Sequence, residues 1–204
     1  MKGKGATLLA AIERGDHAAL KRAIDSGESV ETRDPTRRAT ALLHAVRKRD
    51  VAAVGILVAA GADINAQDNI KDSPFLLAGA LGDVAILKAL LKGKPNQGPD
   101  FTKVNRYGGS ALIPASERGH VAAVKLLIEA GVPVDHVNRL GWTALLEAII
   151  LSDGGKSHQQ IVEALIAAGA NVNLPDGDGV TPLQHAQRRG YQAIATLLQD
   201  AGAR

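Results

Sequence analysis

Six near-copies of one short phrase run through this chain. Ala6-Thr7-Leu8-Leu9-Ala10-Ala11 is followed by Thr40-Ala41-Leu42-Leu43-His44-Ala45 and Ser73-Pro74-Phe75-Leu76-Leu77-Ala78. Ser110-Ala111-Leu112-Ile113-Pro114-Ala115, Thr143-Ala144-Leu145-Leu146-Glu147-Ala148 and Thr181-Pro182-Leu183-Gln184-His185-Ala186 complete the set. First residues at 6, 40, 73, 110, 143 and 181 give spacings of 34, 33, 37, 33 and 38. A period near 33 residues means one supersecondary unit repeated in a stack, in which no unit buries its apolar face alone. The expectation is a single all-α domain spanning residues 1–204, with repeats at about 6–38, 39–71, 72–108, 109–141, 142–179 and 180–204.

The repeat beginning at Ser110 shows the internal plan. Ser110 to Glu117 reads as a short helix that Ser110 can cap. Pro114 inside it has no N–H and should distort the first turns. Gly119 stops that helix, and Val121 to Ala130 reads as a second, with Val121, Val124, Leu127 and Ile128 on one side. Gly131 ends it, and Val132 to Gly141 leads through an extended turn to Thr143. Other repeats keep the frame, with Gly15, Arg49, Gly82, Gly119 and Gly190 nine residues after the first position. Asp16, Asp50 and Asp83 precede second helices as natural caps. Helices of about ten residues are marginal alone, so stability must come from stacking. Aromatics are only 2% of the chain while apolar residues are 46%, so the layers must be built from Ala, Leu, Val and Ile.

The motifs Thr181-Pro182-Leu183 with Ala186, Gly119-His120, Gly61-Ala62-Asp63-Ile64-Asn65 and Gly169-Ala170-Asn171-Val172-Asn173 resemble the ankyrin repeat. The resemblance covers residues 6–204. The wording Asn105-Arg106-Tyr107-Gly108-Gly109 and Asn138-Arg139-Leu140-Gly141-Trp142-Thr143 is similar to that of small bacterial ankyrin-repeat proteins. It implies an all-α ankyrin-repeat solenoid of six helix-turn-helix units with β-turn fingers, whose end repeats act as caps. The family's usual histidine after Thr-Pro-Leu is replaced by Leu9, Leu43, Leu76, Ile113, Leu146 and Gln184, so packing should replace a buried histidine network. Insertions fall in Pro95 to Val104 and in Ser152 to Ser157.

Several patterns resemble chemistry without its context. Gly154-Gly155-Lys156-Ser157 matches half of a phosphate-binding loop, but Ile150 stands where a glycine is needed and a helix precedes it. The bland reading is a flexible surface insertion; the sharp one is an anion held by backbone N–H groups and Lys156. Asp176-Gly177-Asp178-Gly179 lacks the remaining ligands of a calcium loop and reads as a turn. The six histidines show no metal-ligand spacing, and solvent-facing or capping roles are expected for them. Without cysteine there is no thiolate chemistry. No cofactor and no metal are expected.

Net charge is +3, from 24 basic and 21 acidic residues, too balanced to argue for nucleic acid by itself. The chain has no run of transmembrane length and begins Met1-Lys2-Gly3-Lys4-Gly5, which does not read as a signal peptide. A soluble, cytoplasmic, monomeric protein is expected, periplasmic or secreted if a signal segment has been removed.

The resemblance implies partner binding across the fingers and first helices. Offset mapping makes His44, Arg47, Lys48, Leu77, Pro114, Glu117, Arg118, Glu147, Ile150, Leu151 and His185 candidates on the helices. Arg37, Arg38, Arg106, Tyr107, Arg139, Leu140 and Trp142 are candidates on the fingers. Tyr107 and Trp142 are two of only five aromatics, each near an arginine at a matching offset. Tyr, Trp and Arg are enriched at interface hot spots. The expected protein-binding residues are therefore Arg106, Tyr107, Arg139, Trp142, Glu117, Arg118, Glu147, Arg47 and Lys48. Two alternatives stand beside this non-catalytic module: nucleotide or anion binding at Gly154 to Ser157, and nucleic-acid binding through Arg37, Arg38, Arg47, Lys48 and Arg49.

Overall fold

A computed structural model describes residues 6–93 and 98–204. The opening Met1 to Gly5 and the part of the first insertion from Lys94 to Gln97 lie outside the described residues. The chain divides into two compact units, one of Met1–Ala78 with Asp83–Arg106, the other of Gly79–Gly82 with Tyr107–Arg204. Among the described residues there is no strand, only an isolated bridge between Arg33 and Thr40.

The first unit contains α1 (Ala6–Arg14), α2 (His17–Asp25), α3 (Ala41–Arg47), α4 (Val51–Ala59), most of α5 (Pro74–Leu81) and α6 (Val84–Leu91). Hairpin partners α1/α2 and α3/α4 pack together; α1 then stacks on α3, α2 on α4, and α4 on α6. Leu8, Ile12, Leu20, Leu42, Leu57 and Leu87 are fully buried where these layers meet. Each such side chain contributes about 2 kcal/mol of apolar burial, enough in sum to hold helices too short to stand alone.

The second unit contains α7 (Leu112–Glu117), α8 (Val121–Glu129), α9 (Ala144–Ile150), α10 (Lys156–Ala167), α11 (Pro182–Arg188) and α12 (Gln192–Asp200). First helices stack as α7, α9, α11 and second helices as α8, α10, α12. Leu112, Leu127, Leu145, Ile149, Ile161, Leu165, Ile194 and Leu198 fill the layers.

Caps follow the sequence frame closely. Asp16, Asp50 and Asp83 accept from the N–H groups of Ala19, Ala53 and Ile86. Thr40, Ser73 and Thr143 hydroxyls accept from Leu43, Leu76 and Leu146. At Thr181 the replacement residue Gln184 completes a reciprocal capping box. Leu43, Leu76, Ile113 and Leu146, standing where the family has histidine, are buried.

Ser110 breaks the series. Its hydroxyl caps nothing and has no hydrogen-bond partner; α7 begins only at Leu112 and has six residues. In other repeats the fifth residue's N–H bonds back to the cap carbonyl, as His44 does to Thr40 and Glu147 to Thr143. Pro114 occupies that place, lacks the N–H and crowds the carbonyl four residues back, so the first turn shifts away from Ser110.

Candidate functional site: the finger turns

Four β-turn fingers are each organised by one Asx side chain. Asp34 Oδ1 accepts from Thr36 and Arg37 N–H at 2.8 and 2.7 Å, and Oδ2 from Ala39 at 2.9 Å. Asp68 Oδ1 accepts from Ile70 and Asp72 at 3.0 and 2.9 Å. Asn138 Oδ1 accepts from Leu140 and Trp142 at 2.9 and 3.1 Å. Asp176 Oδ1 accepts from Asp178 and Val180 at 3.0 and 2.9 Å. A short side chain that satisfies turn N–H groups is the reason Asp and Asn recur there.

The remaining polar atom of each Asx reaches a first helix. His44 Nε2 meets Asp34 Oδ2 at 3.0 Å, and His185 Nε2 meets Asp176 Oδ2 at 2.7 Å. Arg47 Nη2 donates to Asp68 Oδ2 at 2.6 Å. In the fifth repeat the polarity is reversed: Asn138 Nδ2 donates to Glu147 Oε1 at 2.7 Å. These are clasps that fasten finger to helix, and all four Asx residues were missed as functional elements by motif reading. Their signal was available as an Asp or Asn five residues before Ser73, Thr143 and Thr181, and six before Thr40.

The clasps differ in electrostatics. Burial pushes the Asp34 carboxyl up, but the Arg37 N–H, His44 and further N–H groups outweigh it and hold it at about 2. Asp176 is lowered by the same balance, burial opposed by Val180 N–H and His185. Burial raises Glu147 to about 7, with the Glu117 charge adding to the rise and the Asn138 bond and Arg118 opposing it. Asp72 is raised by burial and by neighbouring Asp68, despite Arg106, Arg47 and Arg37 around it.

Adjacent fingers are tied tip to tip. Asn69 N–H donates to Arg37 O at 2.8 Å in the first unit, and Arg139 N–H to Tyr107 O at 3.0 Å in the second. In the first unit Arg33 Nη1 bridges the carbonyls of Arg38 and Gln67, both at 2.8 Å. Gln67 Nε2 repeats the device between Lys71 O at 2.9 Å and Val104 O at 2.8 Å. In the second unit His136 Nε2 bonds Gly108 O at 2.6 Å.

The expected binding residues fall in both units. In the first, Arg47 is held by Asp68, exposed Lys48 lies 3.4 Å from Glu13, and Arg106 lies 3.5 Å from Asp72. In the second, Tyr107 is 59% exposed and Arg139 is exposed, its stem lying across Gly108. Trp142 and Glu117 are half-buried, and Arg118 is exposed with Nη1 on Ala80 O at 2.6 Å. Glu147 is only 6% exposed. Offset mapping therefore overstated exposure at Glu147, Pro114 and Ile150, which are buried where α9 packs against its neighbours. Leu140 at 58% and Val137 at 45% are exposed apolar residues beside Tyr107's finger, and neither stood among the expected binding residues.

The histidines are engaged as well. His17 lies 2.7 Å from Asp50, and His158 Nε2 donates to Glu117 O at 2.9 Å. His17 remains largely solvent-facing at 43% side-chain exposure, whereas His44, His136, His158 and His185 are less exposed than a solvent-facing role implies, because each finds an acceptor in a finger or a neighbouring layer.

The second insertion is tied down by side-chain contacts. Tyr191 OH donates to Ser152 O, and Gly154 sits against the Tyr191 ring. Gly154 and Gly155 N–H groups already bond Ser152 Oγ and Asp153 Oδ1 at 3.1 and 2.8 Å. A phosphate loop needs such N–H groups directed at its ligand.

A model of ankyrin repeats in three copies matches residues 75–176, and a single ankyrin-repeat model matches residues 37–69. The ankyrin repeat protein YahD of Escherichia coli (strain K12) is 41% identical over 204 residues, 100% of this chain and 99% of that protein. This chain is an ankyrin-repeat protein. An ankyrin repeat domain from Acinetobacter baumannii AYE is similar at 52% identity and a TM-score of 0.92, over 97% of this chain and 98% of that one. The ankyrin repeat domain of Bcl-3, a member of the IkappaB protein family, aligns at 28% identity and a TM-score of 0.87, over 98% of this chain and 87% of that one. The chain thus has the all-α ankyrin-repeat fold and relatives among bacterial ankyrin proteins. Ankyrin repeats are generally protein–protein interaction modules and typically non-catalytic scaffolds. No described helix is long and apolar enough to cross a membrane.

Proposed function

We propose that this ankyrin-repeat protein is a non-catalytic adaptor or regulator that binds a protein partner through its turn fingers and the first-helix face beside them. The observation that carries the reading is the pair of exposed apolar tips, Tyr107 and Leu140, on fingers locked together by the Arg139 to Tyr107 backbone bond. Large apolar groups held in water on a rigid support favour a partner that covers them. Arg139 and Trp142 flank them with the side-chain types most common at interface hot spots. Arg118 and Glu117, and in the first unit Arg47, Lys48 and Arg106, supply charged contacts. Glu147 contributes from below, by holding Asn138 and hence the finger that carries Arg139, Leu140 and Trp142. The histidine–aspartate pairs are engaged as clasps between finger and helix, which supports a binding role over proton-transfer chemistry.

Affinity capture from the native cell extract tests the reading. A protein retained by the wild-type chain and lost with the Arg106→Ala/Tyr107→Ala/Arg139→Ala/Trp142→Ala variant is the expected result, each hot-spot residue being worth about 2 kcal/mol. Equal retention by a variant whose circular dichroism matches wild type would move the site elsewhere.

A further inference from the structure

Among the described residues only three that are not glycine have a left-handed backbone: Arg38 at φ 60°, Arg49 at φ 55° and Lys71 at φ 63°. All three are basic, and all lie in the first unit. Each stands where other repeats place glycine. Arg38 and Lys71 match Gly108, Gly141 and Gly179, at φ 77°, 78° and 79°; Arg49 matches Gly15, Gly82, Gly119 and Gly190.

This conformation is strained for any residue with a Cβ, and the usual exceptions are Asn and Asp, whose short side chains bond the local backbone. Arginine and lysine have no such local bond, so turn chemistry does not account for them. The turns are instead held from outside, Arg38 O by Arg33 and Lys71 O by Gln67. Strain over-determined in this way is a mark of a position used for something other than the fold.

What these positions present is charge. Arg37, Arg38 and Lys71 are exposed, and neither Arg38 nor Lys71 forms an ion pair with a described residue. Arg106 is 48% exposed at 3.5 Å from Asp72. The carboxylates of the same fingers are less exposed: the Asp68 side chain at 0% and Asp34 at 15% are committed to turn N–H groups and to Arg47 or His44, and Asp72 at 20% lies between Arg47 and Arg106. Cations are therefore more exposed than anions along this edge. Neighbouring tips are fixed in register by the Asn69 to Arg37 bond.

We infer that the turn edge of the first unit, formed by Arg37, Arg38, Lys71 and Arg106, docks an acidic, Asp/Glu-rich segment of the protein partner. The inference rests on the protein-binding reading above and adds the partner's chemistry. An acidic polypeptide fits better than a single strand, whose bases stack on exposed rings, because Phe75 in this unit is buried at 6.4 Å from Phe101, and better than a duplex because the chain's net charge is only +3. The edge steers and selects by charge, and its contribution weakens with salt.

The test is fluorescence anisotropy with the full chain and three labelled probes: a Glu-rich peptide, the same peptide with Gln for every Glu, and a random-sequence DNA duplex. The Glu-rich peptide should bind most tightly at low salt. Arg38→Gly/Lys71→Gly should weaken it by roughly tenfold, while the melting temperature rises because the strain is removed. Equal binding of the Gln peptide, tighter binding of the duplex, or unchanged affinity in the glycine variant would overturn the inference. Extract capture separates the two readings. A partner lost with Tyr107→Ala/Leu140→Ala but kept by the glycine variant sinks the acidic edge alone; a partner kept by both sinks the acidic edge and moves the protein-binding site off the Tyr107 and Leu140 fingers, and no protein retained by the wild-type chain sinks the protein-binding reading itself.

Discussion

The fingers of the two units reach one turn geometry by different means. In the second unit Gly108, Gly141 and Gly179 supply the left-handed residue, and the tips expose Tyr107, Val137 and Leu140. In the first unit Arg38 and Lys71 occupy the same backbone conformation, and side-chain bridges from Arg33 and Gln67 hold them. A repeat scaffold specifies where the chain must turn, and it leaves open which residue bears the cost. Where glycine bears it, the finger is free to carry an apolar tip. Where a cation bears it, the scaffold has given up stability for surface charge.

Removing the shared element should hurt most. Asp68 has a side chain 0% exposed, two turn N–H groups and Arg47 as partners, so Asp68→Ala leaves several buried groups unsatisfied. A loss of about 3 kcal/mol in urea unfolding is expected. Asn138→Ala, which removes a neutral side chain, should cost less; an equal loss would mean that charge adds nothing to the clasp.

Next come the glycine turns. A Cβ at Gly141 would sit 2.8 Å from Gly177 N, whereas one at Gly179 meets nothing within 4 Å. Gly179→Ala should cost only the conformational term, about 1 kcal/mol, and Gly141→Ala about 1 kcal/mol more. Matching melting temperatures for the two variants would show that the fingers are less tightly packed than described.

The clasps should also respond to pH with opposite sign. Glu147 is raised to about 7, so it binds its proton more tightly folded than unfolded. Its contribution is intact below about pH 4.5 and declines as pH rises through 7. Glu147→Gln keeps the bond from Asn138 and should raise stability by about 1–2 kcal/mol at pH 8 with little effect at pH 4. Asp34, held at about 2, is the reverse: its stabilisation is present above about pH 4 and disappears as pH falls towards 2. Urea midpoints across pH for wild type, Glu147→Gln and Asp34→Asn separate the two; parallel profiles would refute the contrast. Smallest of all, Arg38→Gly should stabilise by about 0.5 kcal/mol, the relieved left-handed strain slightly exceeding glycine's added unfolded-state entropy. A lower melting temperature would show that the Arg38 side chain supports the finger after all.

Much of the architecture was legible in residues that act locally. Thr40 and Asp50 cap the helices they precede, Gly119 stops the helix it follows, and Pro114 disrupts its own turn, because each effect needs only a few neighbouring residues. The candidate site was legible in part. Tyr107 is exposed as expected, but Glu147 is not, since its burial depends on α9 packing between α7 and α11. Leu140 read as one residue among several finger candidates and stands out only when its exposure is known. The tie from Tyr191 to the insertion at Gly154 was not legible, because Tyr191 lies a repeat away.

By itself the sequence determined the repeat, its period, most of its helix caps and its family, since those follow from short-range chemistry written many times over. The tertiary structure alone decided which side chains clasp finger to helix, which carboxylates turn inward, and where a basic residue occupies a left-handed turn. Those outcomes depend on groups about ten or more residues apart brought within hydrogen-bond reach by stacking: His44 with Asp34, Glu147 with Asn138, Arg33 with Gln67. A period of about 33 residues states that layers will meet; only the packed layers state what meets across them.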